Sequence, residues 1–153
     1  MNEVLILLTL LSAALMVGNE FTVGAFINPA FGRLPEQPQA YAARETARVF
    51  GRVMPFWMPA NLLLNILLVF PFGDRASASW WFYLAAAGLF AIVIVFSLVF
   101  PVPLNNRIAA WNPEDLPNDW RELRRRWDKF HYVRIVLLLS ALACLIWGTV
   151  KHG

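Results

Sequence analysis

Apolar residues run along this chain in four long blocks, roughly 4–31, 52–72, 80–104 and 130–150, separated by stretches rich in Pro, Asn and charged side chains. Each block reaches the ~20 residues a helix needs to cross the hydrocarbon of a bilayer. The pattern predicts an all-α fold: an integral membrane bundle of four transmembrane helices forming one domain over 1–153, with little chain left for a separate soluble unit. Ahead of the second block, Tyr41, Glu45, Arg48 and Arg52 recur at helical spacing. They predict an amphipathic helix over 38–52 that leads into the second span. Pro55 and Pro59 follow in the first turns of that span, where each removes a backbone donor and is expected to kink or break the helix. In the connection 105–129, Asn118 or Asp119 offers an N-cap for a helical run that enters the fourth span.

Composition agrees with the pattern. The chain is 59% hydrophobic and 15% charged, with a mean hydropathy of +0.54, which is membrane-class usage. The first block does not read as a cleaved signal, because the head "MNEV" carries no Lys or Arg and the apolar run outlasts an h-region of ~7–15 residues. Cys144 is the one cysteine, so an internal disulfide and a cysteine metal cluster are both excluded.

Charge decides the orientation. If the connections alternate sides, 32–51 and 105–129 share one face, while the N-terminus, the turn 73–79 and the C-terminus share the other. Of the thirteen Lys and Arg residues, all but Arg75 and Lys151 fall on the first face. The positive-inside rule then makes the long connections cytoplasmic and puts both termini outside, across what reads as a bacterial inner membrane. The pI near 9.5 is thereby accounted for by topology and contact with anionic lipid. No nucleic-acid surface is called for.

The informative residues are polar ones in apolar surroundings. Asn19 and Glu20 interrupt "ALMVGNEFTVGAF" in the first span, and a carboxylate there has to face other helices or a wet cavity. Asn61 and Asn65, four apart in the second span, project from one helix face. Each alone reads most simply as interhelical glue. The third span ends in Asn105, Asn106 and Arg107, and the fourth opens with Trp127, His131 and Arg134 at i, i+4 and i+7 on one stripe. All four helices can therefore contribute to a single polar pocket on the cytoplasmic side. In it, Arg134 can neutralise Glu20, or Asp128 can pair with His131 or Arg134.

At "PLNNRIAAW" followed by "WDKFHYVR" the chain resembles the small four-helix integral membrane family that includes the fungal anthrone oxygenases. The resemblance covers nearly the whole chain. It implies an anthrone oxygenase-like activity, in which molecular oxygen converts an anthrone methylene to a quinone without an established metal or flavin. Carried to this sequence, it touches Asn105, Asn106, Trp127, His131 and Arg134, and more loosely Asn19 and Glu20.

Two classes of function follow. The first is an oxygenase that takes a flat, lipophilic phenol or quinone from the bilayer. His131 is the one histidine placed to act as base, since imidazole titrates near neutral pH. Arg134, Asn105 and Asn106 would then stabilise the enolate charge, with Glu20 orienting Arg134. Asn19, Asn61, Asn65, Arg107 and Trp127 would contact the ligand. Phe26, Phe31, Phe56, Trp57 and Trp111 add aromatic density near that face. Glu20 and His131 are too few for a redox metal, which takes three or more donors, and one histidine gives thin support for haem, so no cofactor is assigned. The second class is a non-enzymatic membrane protein, either a small-molecule binder or carrier, or an assembly partner of a larger complex. Small residues such as Ser12, Ala13, Ala86, Gly88, Ser140 and Ala141 allow close helix contact within the bundle or in a homo-oligomer.

Overall fold

The computed structural model describes residues 2–70 and 77–152. Arg75 and most of the short turn 73–79, used above to set orientation, lie outside them. The described residues form helices α1 (Asn2–Thr22), α2 (Asn28–Phe31), α3 (Glu36–Val69), α4 (Ala78–Val99), α5 (Pro101–Ala109) and α6 (Trp120–His152), with a π turn at Val23–Ile27 between α1 and α2. No strand forms among them beyond one isolated bridge, Asn112 to Asp115. Four of the helical stretches are long and apolar enough to cross a membrane. The chain is an all-helical integral membrane protein.

Local sequence explains where the helices begin and end. Ser77 caps α4, its Oγ accepting from the Ser79 N–H at 3.3 Å. Pro101 occupies the first position of α5, where its missing N–H costs nothing. It also ends α4, so the single span expected over 80–104 is two helices. Pro55 and Pro59 lie inside α3, which nevertheless runs unbroken for 34 residues. The amphipathic stretch and the second span are thus one helix. Asp119 precedes α6, but its carboxylate pairs with Arg107 at 3.1 Å.

The interior divides in two. Where α1, α3, α4 and α6 run side by side, the core holds Ala13, Met16, Met58, Ala86, Phe90, Val93, Leu138, Ala141 and Leu145. In lipid the helices associate through packing rather than water exclusion, so the small residues Ala13, Ala86 and Ala141, fully buried, mark the closest approaches. Gly148 is another: a Cβ there would lie 2.8 Å from the Tyr83 ring. Long apolar side chains such as Leu7, Leu11, Leu15, Ile92, Val95 and Val136 point outward, as a lipid-facing surface requires. A second core caps the end of the bundle that carries the long connections. It joins Ala40, Ala43 and Ala47 of α3 to Leu104 and Ile108 of α5, with Trp111, and to Trp120, Leu123 and Trp127 of α6. The candidate site lies between the two cores.

Candidate functional site

Its centre is a buried trio from α1 and α6. Arg134 Nε donates to Glu20 Oε2 at 2.9 Å, and Nη2 approaches the same oxygen to 2.6 Å. The side chains are 3% and 9% exposed for Glu20 and Arg134, so each ion is compensated almost wholly by the other. Arg134 Nη2 also donates to His131 Nδ1 at 3.0 Å, while His131 Nε2 lies 3.1 Å from the Glu20 carbonyl oxygen. Because a guanidinium can only donate, Nδ1 is the acceptor and Nε2 carries the proton. The 3.3 Å approach of Nδ1 to Glu20 Oε2 is then a contact between two acceptors, and both ring nitrogens are occupied elsewhere. A base at His131 needs a free imidazole lone pair facing a substrate. That lone pair points at Arg134.

The backbone makes this convergence possible. The π turn begins three residues after Glu20, a local widening that recurs at functional positions in helices. Gly24, within it, lets α1 approach α6: an added Cβ would stand 2.6 Å from Ile135 Cδ1 and 3.2 Å from His131 Cδ2. Tyr132 Oη donates to the Gly24 carbonyl at 2.8 Å and fixes the same contact from outside. On α6 the trio extends into a stack, with Trp127 parallel to His131 at 4.7 Å and the Arg124 guanidinium 4.9 Å from the Trp127 ring centre.

Beside the trio lies a cavity of about 280 Å³, walled by Glu20 and Val23, by Phe50, Gly51, Met54, Pro55, Met58 and Pro59 of α3, by Ile94, Ser97 and Leu98 of α4, by Pro101, Val102, Asn105 and Asn106 of α5, and by Trp127, His131 and Arg134 of α6. Pro55, Pro59, Leu98 and Val102 line it and also face outward, so the cavity opens sideways between α3 and α4–α5 through an apolar rim. Pro55 and Pro59 cannot donate to the carbonyls of Gly51 and Pro55, and these two residues also line the opening. Glu20 Oε1 and Arg134 Nη1 make no hydrogen bond to the described residues. The polar faces left for a ligand are therefore on residues of the cavity wall.

Of the residues singled out from sequence, Glu20, Asn105, Asn106, Trp127, His131 and Arg134 meet at this cavity. Asn105 is partly spent, its Nδ2 donating to the Ala47 carbonyl at 2.9 Å and tying α5 to α3. Asn61 and Asn65 do not reach the cavity. Their amides donate back along α3 to the Trp57 and Asn61 carbonyls at 3.0 and 2.8 Å, and Asn61 Nδ2 also reaches Met16 Sδ of α1 at 3.6 Å, an interhelical contact. Asn19 is also absent from the lining, and Arg107 is turned outward to Asp119. Asp128 serves neither His131 nor Arg134. It accepts from Asn28 Nδ2 at 3.0 Å and lies 3.2 Å from Arg124 Nη2. Of the six aromatic residues expected near the ligand, Trp127 alone is in the wall; Phe56, 78% exposed, and Phe26 point away.

Sequence reasoning passed over Gly24 and the π turn. Among the described residues no group of three or more His, Cys, Asp or Glu is clustered as a metal site would be.

A family model described as anthrone oxygenase matches residues 44–144. That stretch contains every wall of the cavity except Glu20 and Val23. It is shorter than the near full-length resemblance read from the sequence, and it leaves out α1. Comparisons with curated proteins and with solved structures found no match.

Proposed function

The chain belongs to the anthrone oxygenase family, and from that premise we propose that it is a membrane-embedded oxygenase. It takes a flat lipophilic phenol or anthrone from the bilayer and oxidises a ring methylene to a ketone with molecular oxygen. The observation that carries the reading is the sideways-opening apolar cavity with one enclosed carboxylate–guanidinium pair in its wall. An apolar substrate can enter through such a rim, and such a pair can supply a base and an anion stabiliser for carbon-acid chemistry.

The overall change balances with dioxygen as the oxidant. Both methylene hydrogens leave the carbon, one oxygen atom becomes the new carbonyl, and the other leaves as water with those two hydrogens. The first step is removal of a methylene proton, which leaves an enolate. We assign it to Glu20 rather than to His131, because Glu20 Oε1 has no hydrogen-bond partner among the described residues while both imidazole nitrogens are engaged. When Glu20 takes the proton, its negative charge passes to the enolate and Arg134 keeps an anionic partner throughout. The number of charges in the cavity does not change, so the low-polarity surroundings oppose the step little. Arg134 Nη1 and Asn106 are the donors for the enolate oxygen, Asn105 supports them from α5, and Trp127 supplies a flat wall. His131 is a positioning residue that holds Arg134 in register. The electron-rich enolate then reacts with dioxygen.

The Lys and Arg distribution supports a topology with the cavity near the cytoplasmic face of a bacterial inner membrane and both termini outside.

The test is oxygen uptake by the detergent-purified protein with anthrone, following quinone formation in parallel. One dioxygen per quinone is expected for the wild type. Glu20→Gln should lower the rate by ~100-fold or more, within the range for loss of a general base. Equal rates for the two would remove Glu20 from the chemistry. Tight binding with no uptake in the wild type would favour a carrier or binding protein.

A further inference from the structure

We propose that the main-chain carbonyl of Gly51 is a ligand contact built into the cavity wall, a hydrogen-bond acceptor that selects flat ligands bearing a hydroxyl group. This rests on the cavity being the ligand site proposed above.

In an α-helix each carbonyl accepts from the N–H four residues later. For Gly51 that residue is Pro55, which has no N–H to give. Because α3 stays helical through Pro55 and Pro59, the N–H groups of Met54 and Phe56 remain with their own acceptors one turn back. No side chain among the described residues donates to the Gly51 oxygen. Asn105, whose Nδ2 a Cβ at Gly51 would meet at 3.3 Å, gives that nitrogen to the Ala47 carbonyl instead, at 2.9 Å. A main-chain acceptor deprived of its donor in a membrane helix is tolerated where a cavity can supply a partner.

Gly51 is placed to be supplied. It lines the cavity and is also exposed, and with no side chain it can form wall only from main-chain atoms. Gly24 and Gly148 sit where helices touch, an added Cβ meeting side chains at 2.6 and 2.8 Å. At Gly51 the Asn105 amide nitrogen is the one atom within 4 Å of an added Cβ, apart from the backbone of α3, so helix packing does not account for the open position. The α3 side chains beside it in the wall, Met54, Pro55, Met58 and Pro59, carry no donor. A carbonyl oxygen can only accept, so its partner has to donate. A phenol O–H meets that requirement, whereas a ketone or an ether does not.

The experiment measures equilibrium binding to the detergent-purified protein by tryptophan quenching, without oxygen so that no turnover intervenes. The probes are anthrone, a hydroxyanthrone whose hydroxyl is too distant from the ketone to bond it internally, and the methyl ether of that hydroxyanthrone. Pro55→Ala provides an N–H for the Gly51 carbonyl. It should weaken hydroxyanthrone binding by ~3- to ~10-fold, the usual worth of one neutral hydrogen bond, and should change anthrone and the ether by less than ~2-fold. Pro55→Val provides the same N–H but keeps apolar bulk at the opening, and should behave as Pro55→Ala does. Alanine and valine both suit a helix better than proline, and circular dichroism checks that the variants fold. Wild-type affinity for hydroxyanthrone in Pro55→Val alone would assign the effect to shape and overturn the inference. Equal dissociation constants for hydroxyanthrone in wild type and Pro55→Ala would also overturn it, leaving the proposed activity standing. If no probe binds the wild type, both fall together.

Discussion

Replacing Arg134 with Gln removes the cation 2.6 Å from Glu20 Oε2 while preserving much of the side-chain volume. At an effective dielectric constant of ~20, the Coulomb attraction at that distance is ~6 kcal/mol. Desolvation of the two ions cancels much of it, at several kcal/mol each. The pair is therefore nearly neutral as a unit, whereas breaking it strands one ion in a site where both side chains are almost completely enclosed. Each single variant, Glu20→Gln and Arg134→Gln, is expected to lose ~3–5 kcal/mol of stability. Arg134→Gln also deprives His131 Nδ1 of its charged donor. The double variant strands no ion, so it should be more stable than the sum of the singles implies, by at least ~2 kcal/mol. Reversible unfolding in mixed micelles of increasing denaturing detergent, followed by circular dichroism, measures all four proteins. Additivity within ~0.5 kcal/mol would mean that the two groups do not compensate each other, and the charge-transfer argument for the reaction would lose its basis.

Other expectations follow from contacts around the site. Gly24→Ala should cost ~1–3 kcal/mol by overpacking, because its Cβ would meet Ile135 Cδ1 at 2.6 Å; adding Ile135→Val, which removes that atom, should recover most of the loss in the same unfolding assay. Gly148→Ala should destabilise by a similar ~1–3 kcal/mol through the Tyr83 ring, with ligand affinity unchanged. Tyr132→Phe should lose ~0.5–1.5 kcal/mol with its bond to the Gly24 carbonyl. Arg121→Gln, which removes an exposed pair with Glu36, should change the unfolding midpoint by less than ~1 kcal/mol equivalent.

What could be read from the sequence divides according to whether a polar group can be satisfied by its own helix. Glu20, His131 and Arg134 could be placed together from sequence because a carboxylate and a guanidinium in an apolar span have no local remedy and must find each other. Asn61 and Asn65 look equally conspicuous in the sequence, but each amide nitrogen bonds the carbonyl one turn back, Asn61 also touching Met16 of α1, and neither residue lines the cavity. Their spacing on one face therefore carried no information about the cavity. The alternative that the charges left open, Asp128 beside His131 or Arg134, is not the one taken: Asp128 lies against Arg124 at i−4 and accepts from Asn28. Asn28 arrives from α2, directly after the π turn, which no residue pattern announces.

The backbone breaks follow a related logic. Pro101 ends α4 and starts α5, yet Pro55 and Pro59 leave α3 continuous. In each case proline removes one donor. The outcome depends on the surroundings: in α3, the carbonyls released at Gly51 and Pro55 belong to residues that line the cavity opening, where a ligand hydroxyl or water can serve them. An apolar span that tolerates two prolines in succession is thus itself a sign of a nearby space for polar guests. Charged residues show where a membrane cavity is built, while carbonyls that proline releases at its mouth show where it opens.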